Sequence, residues 1–237
     1  MIGFYDYTVI LTYMSVLTAG AGIAISLWGS GHPYLGAMCL MLCGLFDTFD
    51  GRVARRKKNR TDDEKEFGVQ IDSLSDLVAF GVLPACIGIA LYKRVTPDLI
   101  KYNSKSLLIN FEGIPAAIIV AISALFILAA LIRLAYFNVT VKYTQNESMG
   151  NEKFYYGLPV TSTALLMPMF LIIRHLALVF CHSNIAWIYH IYMIIIGILY
   201  LSKFKLKKPT SKQIYILIGI GIVEFIVVIL IKILLKK

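Results

Sequence analysis

Apolar residues in this chain come in blocks of about 20 with few or no charges between them. A helix needs roughly 20 such residues to cross a ~30 Å hydrocarbon core, and lipid offers no partner to an unpaired backbone group, so the blocks predict membrane-spanning helices. Composition agrees: of 237 residues, 58% are hydrophobic and 16% charged, which excludes an ordinary soluble globule. Seven spans can be read, at about 7–28, 34–56, 67–92, 113–141, 158–181, 184–204 and 212–235. No polar stretch is long enough to bury a second core. Residues 1–7 have no basic run and carry Asp6, so the first apolar block is expected to be retained rather than cleaved as a signal.

The net charge of +9 must then sit in loops, where it reads as a topology signal and as contact with anionic headgroups rather than as nucleic-acid binding. The loop 52–66 holds Arg52, Arg55, Arg56, Lys57, Lys58, Arg60 and Lys65, and the loop before the last span holds Lys203, Lys205, Lys207, Lys208 and Lys212. Four spans separate these loops, so both lie on one side, which the positive-inside rule makes the cytoplasm. The four cysteines, Cys39, Cys43, Cys86 and Cys181, form no paired motif and are expected to be buried free thiols.

Acidic residues within a membrane span are costly and therefore point to function. Asp47 and Asp50 lie at i, i+3 near the end of the second span, and Asp72 and Asp76 at i, i+4 in the third. Each pair shares a helical face, and the hairpin between the spans can turn the two faces together. Four carboxylates at close quarters repel unless a cation intervenes, and hard oxygen ligands suit Mg²⁺, Mn²⁺ or Ca²⁺. The plainer alternative is that the aspartates pair with Arg52 and Arg55. Gly51 and Ala54 remove bulk beside the acidic face, which would let a nucleotide approach, and Arg55 can fork onto a phosphate.

The runs Asp47-x-x-Asp50-Gly51-x-x-Ala54-Arg55 and Gly68-x-x-x-Asp72-x-x-x-Asp76 resemble the signature of the CDP-alcohol phosphotransferases. Those membrane enzymes move a phosphoalcohol from a CDP-activated donor to a second alcohol and release CMP. The resemblance implies that Asp47, Asp50, Asp72 and Asp76 bind two divalent cations and that Asp76 also serves as base on the acceptor hydroxyl. It also implies that Asp47, Gly51, Ala54, Arg55 and Gly68 line the CDP-lipid site. The usual spacer before the glycine is eight residues, whereas 56–67 makes twelve here, and the polar surplus is expected to loop into the cytoplasm as a solvated face.

Arg133-Leu134-Ala135-Tyr136-Phe137-Asn138, the run Phe154-Tyr155-Tyr156-Gly157-Leu158-Pro159 and the stretch 75–84 resemble the phosphatidylserine synthase branch, or its archaetidylserine-forming archaeal counterpart. That branch has L-serine as acceptor. Arg133 either snorkels to the interface or contacts a phosphate or the serine carboxylate, and Asn138 either caps its helix or bonds the acceptor. His32, His175, His182 and His190 map to the opposite half. Glu224 is the only acid of the last span and has no functional account.

The expected fold is an all-α integral membrane protein with a six-helix transmembrane core, residues 1–204, and an additional basic loop and C-terminal helix, residues 205–237. The expected partners are a CDP-activated lipid, L-serine, membrane lipids and a second copy of the chain, at the plasma membrane of a prokaryote with the site facing the cytoplasm. Rivals are a sister enzyme taking glycerol 3-phosphate or inositol phosphate, and a cation transporter.

Overall fold

The computed structural model describes residue 3 and residues 7–54, 56–57, 59–102, 105–106, 116–144, 154–207 and 210–236; along 95–102, 105–106, 141–144, 154–156, 207, 211 and 234–236 it describes the backbone. Its helices are α1 (Ile10–Leu27), α2 (Pro33–Ala54), α3 (Asp62–Asp76), α4 (Leu83–Tyr102), α5 (Ala116–Thr144), α6 (Thr163–Phe180), α7 (Ile188–Leu201) and α8 (Ser211–Lys236). A π-helical turn, Leu77–Val82, joins α3 to α4 in one continuous rod.

Among the described residues, five stretches are long and apolar enough to cross a membrane: Ile10–Leu27, Asp62–Arg94, Ala116–Thr140, Val160–Phe180 and Lys212–Ile233. The architecture is thus all-helical and membrane-like, while two of the seven expected spans fall short of those criteria. Helix α2 has the length but carries Asp47, Asp50 and Arg52 in its last turns. Helix α7, with 14 residues, reaches only about 21 Å at 1.5 Å per residue.

Alternate loops gather at two ends of the bundle. Strand β1 (Lys105–Ser106), after α4, pairs in parallel with β3 (Ser183–Asn184), after α6. Lys93 Nζ and Arg94 Nη1 donate to the carbonyls of Leu27 and Gly31, 3.2 and 3.3 Å away, tying the α1–α2 turn to the same end. Burial, with Lys232 and Arg94 nearby, holds the His32 imidazole there below its ordinary pKa. At the other end β2 (Phe154–Tyr156), before α6, pairs antiparallel with β4 (Lys205–Lys207), before α8. The α2–α3 connection lies at that end too, so the two basic loops share a side as their spacing requires.

Small residues set the helix separations. Helix α1 buries Thr12, Ser15, Ala19, Gly22 and Ser26 along one stripe. A Cβ on Gly22 would stand 2.7 Å from Cys39 Cβ, one on Gly36 would overlap Ser26 Oγ, and one on Gly44 would stand 2.5 Å from Ala164 Cβ. Lipid supplies no hydrophobic drive between helices, so this close backbone approach supplies van der Waals contact instead. Leu40, Phe80, Leu83, Ile87, Met167 and Leu171 fill the centre and are fully buried. Helix α8 packs at the edge, against α6 and α2, with Ile216, Ile222, Val223 and Ile226 facing outward. All four thiols are free; Cys43 and Cys86 are buried as expected, but Cys39 is only partly buried and Cys181, one residue past the end of α6, is exposed.

Candidate active site

The four aspartates of α2 and α3 meet at one end of the bundle. Carboxylate oxygens of Asp47, Asp50 and Asp72 all lie within 4.8 Å of one another. Asp76 adjoins them with its side chain against that of Asp47, and the Asp50 side chain lies against that of Asp72. The Asp50 carboxylate also accepts from the Gly51 N–H. Asp50 is buried and the other three are partly buried. At such a separation each like-charged pair costs ~3 kcal/mol at an effective dielectric of about 20. The arrangement answers that cost only with a proton or a cation between the groups. The donor set fits the expected divalent cations: it is all carboxylate, and one oxygen from each of three residues already converges.

Neighbouring elements hold both acidic faces in place. The Gly44–Ala164 contact seats α2 on α6 one turn before Asp47. Ser75 Oγ donates to the Thr12 carbonyl at 3.3 Å, fixing α3 on α1, and Asn138 Nδ2 donates to Ser73 Oγ at 2.8 Å, fixing α3 on α5. Immediately after Asp76 the helix widens, and the Leu83 N–H reaches back five residues to the Val78 carbonyl. The cause is Pro84, which has no N–H to offer the Phe80 carbonyl four residues earlier. Thr163 Oγ1 approaches that carbonyl to 3.5 Å from α6, and Tyr189 donates its hydroxyl to the Pro84 carbonyl at 2.9 Å. Sequence reasoning missed this turn, for which Pro84 was the available signal.

Several expectations change. Arg52 does not pair with the aspartates: its guanidinium lies over the rings of Phe49 and Tyr215, 5.7 and 5.6 Å from their centroids. Arg55 lies outside the described residues. Gly51 and Ala54 occupy the last turn of α2, partly buried. The lengthened spacer is not a loop throughout. Thr61 Oγ1 accepts from Glu64 N at 3.2 Å and Thr61 N donates to Glu64 Oε2 at 2.9 Å, a capping box that starts α3 at Asp62. Asp62, Asp63 and Glu64 in that first turn suit the positive end of the helix dipole. Gly68 lies on the same face as Asp72 and Asp76, and the guanidinium of Arg60 packs over it.

Arg133 does not snorkel. It is 5% exposed, donates through Nε to the Leu158 carbonyl at 3.2 Å and lies 5.6 Å from the Phe137 ring centroid. It lines a cavity of about 210 Å³ with Tyr136, Tyr200, Ser202 and Lys203, among others. Asn138 does not cap α5, which runs on to Thr144; it bonds Ser73 beside Asp72. Gly157, next to Leu158, has φ +75° and faces the Ser202 carbonyl, where a Cβ would come within 2.8 Å. Gly157→Ala is therefore expected to lower stability by about 2 kcal/mol, read as a lower midpoint of thermal unfolding in detergent. His175 stacks edge-on against Tyr34, and it and the other three histidines lie toward the opposite end of the bundle, as expected. Glu224 is buried in α8 with Oε2 lacking a hydrogen-bond partner among the described residues.

The model of the family described as CDP-alcohol phosphatidyltransferase matches residues 7–200. The chain belongs to that family. All four aspartates fall inside the matched residues, and α8 falls beyond them. Among curated proteins, the chain is 36% identical over 147 residues to the CDP-diacylglycerol–serine O-phosphatidyltransferase of Saccharomyces cerevisiae, covering 61% of this chain and 44% of the yeast protein. The protein of that name in Helicobacter pylori is 27% identical over 194 residues, covering 81% of this chain and 68% of its own length. The archaetidylserine synthase of Methanothermobacter thermautotrophicus is 32% identical over 162 residues, covering 66% and 55%. The chain thus spans less than two thirds of the yeast and Methanothermobacter proteins. No solved structure matches.

Proposed function

We propose that this protein transfers the phosphatidyl or archaetidyl group of a CDP-activated diradylglycerol to the hydroxyl of L-serine and releases CMP. The observation that carries the reading is the convergence of Asp47, Asp50, Asp72 and Asp76 at one end of two packed helices in a chain of this family. The curated relatives' serine-directed names favour serine over other acceptors.

In this reading the four aspartates hold two divalent cations, Mg²⁺, Mn²⁺ or Ca²⁺, which when bound neutralise charge on the diphosphate and on departing CMP. The serine oxygen forms a bond to the lipid-side phosphorus while the bond from that phosphorus to the CMP oxygen breaks. The hydroxyl proton passes to the Asp76 carboxylate, and CMP leaves with the electron pair of the broken bond. Gly51 and Ala54 leave room for the nucleotide, Gly68 lines the same site beneath the Arg60 guanidinium, Arg55 binds a phosphate, and Arg133 and Asn138 stand toward the acceptor. Residues 1–204 form the six-helix catalytic core, and residues 205–237 add a basic loop and one helix. The basic loops support a site at the cytoplasmic face, and in this reading the enzyme works as a homodimer in a prokaryotic plasma membrane. A transporter would need carboxylates distributed across the membrane thickness, whereas these gather at one end.

One observation favours a second acceptor class. Arg133 and Lys203 line the same cavity, which suits a phosphorylated alcohol such as glycerol 3-phosphate or inositol phosphate. Offering labelled serine, glycerol 3-phosphate and inositol phosphate separately, with diacyl and diether CDP-lipids, and chromatographing the lipid extract decides the point. Label from serine in an aminophospholipid is expected; label only from a phosphorylated alcohol would replace serine, and no labelled lipid from any pair would remove the transferase reading.

A further inference from the structure

We propose that Arg60, carried by the lengthened segment between α2 and α3, holds a phosphate of the nucleotide donor. The proposal rests on the transferase reading above and adds a residue to its site. Gly68, Asp72 and Asp76 follow one another at intervals of four, so they form one face of α3, with Gly68 about 6 Å along the axis from Asp72. That face is covered at Gly68 by a cation: a Cβ there would stand 2.6 Å from Arg60 Nη2.

The guanidinium is held in position on its own account. Its Nη2 donates to the Glu64 carbonyl at 2.9 Å. Glu64 is itself clamped by the capping box with Thr61 and by Lys57 Nζ at 3.2 Å. The Glu64 carbonyl already belongs to the α3 ladder and does not require Arg60. Meanwhile Arg60 Nε is buried without a hydrogen-bond partner among the described residues. A buried donor left unmatched costs about 1–3 kcal/mol. A planar, permanently charged fork with a spare donor, beside a glycine and one turn from a carboxylate cluster, suits a phosphate oxygen. The diphosphate would then be held from two sides, by the carboxylate-bound cations at Asp72 and by Arg60 at Gly68. The spacer between α2 and α3 thus supplies a positioned cation beside the carboxylate cluster.

The test is binding of CDP and of cytidine to the purified full-length protein in detergent with Mg²⁺, by equilibrium dialysis. Wild type is expected to prefer CDP. Arg60→Ala should weaken CDP at least about tenfold, in line with the loss of one charge-assisted bond, and leave cytidine unchanged. Arg60→Lys should recover part of the loss, and Gly68→Ala, by displacing the guanidinium, should reproduce the CDP-selective defect. Lys65→Ala removes the same charge from an outward pair with Asp62 and should change neither affinity. Unaltered CDP binding in Arg60→Ala, an equal loss in Lys65→Ala, or an equal loss of cytidine would overturn the role of Arg60 while leaving the transferase reading intact. Wild type that binds neither ligand would overturn both.

Discussion

Asp50→Asn is expected to abolish CMP release, by at least about a thousandfold, and yet to raise the thermal midpoint of the protein in EDTA by a few degrees. The two effects share one cause. Asp50 is buried and stands within 4.8 Å of carboxylate oxygens of Asp47 and Asp72, so without cations it contributes like-charge repulsion of ~3 kcal/mol per neighbour. Asparagine keeps the shape and an acceptor oxygen and removes the charge. With cations the balance reverses, because the neutral amide is a weaker ligand and the diphosphate loses its neutralising partner. Wild type should therefore gain midpoint when Mg²⁺ or Mn²⁺ is added, and the variant should gain little. Scanning fluorimetry in detergent, with and without EDTA, reads both. A variant as metal-responsive as wild type, or one less stable than wild type in EDTA, would mean that the cluster is held by something other than cations.

Gly44→Leu should have the second largest effect. Even a bare Cβ at this position would come within 2.5 Å of Ala164 Cβ, far inside van der Waals contact, and leucine adds three further carbons. The conflict lies between two Cβ atoms, each fixed in place by its own helix backbone, so it cannot be relieved by a rotamer change. Helix α2 must move off α6, and Asp47 and Asp50 begin only one turn later. Displacement of catalytic groups by about 1 Å is enough to cost about a hundredfold in rate. Gly44→Leu should lose at least that much activity and unfold at lower temperature, whereas Gly20→Leu in α1, where no atom lies within 4 Å of the added Cβ, should fold and act as wild type. Equal behaviour of the two variants would mean that α2 is not seated through Gly44.

These contacts show which features were legible beforehand. The acidic pairs could be read because i, i+3 and i, i+4 spacing places two residues on one helical face whatever surrounds the helix. The helix positions followed from apolar length, and the shared side of the basic loops followed from counting spans. The start of α3 was misread as loop because hydropathy is blind to a polar helix turn; Thr61-Asp62-Asp63-Glu64 spelled a capping box that a hydropathy reading passes over. The π-helical turn had its signal in Pro84, but the approach of Thr163 to the freed Phe80 carbonyl, 83 positions away along the chain, had none. The roles of Asn138 and Arg133 were equally out of reach. Asn138 bonds Ser73 across 65 positions and Arg133 bonds the Leu158 carbonyl across 25. Residue type alone allowed a cap or a snorkel, and tertiary packing chose neither.

The measurement that tests the central claim most directly is CMP release by the purified protein in detergent, with CDP-diacylglycerol and L-serine, in the presence of Mn²⁺ or Mg²⁺ and again with EDTA. The account predicts serine-dependent release that EDTA removes, that added metal restores, and that Asp76→Asn lacks under all conditions while still folding. Release that persists in EDTA, or that Asp76→Asn retains, would contradict it.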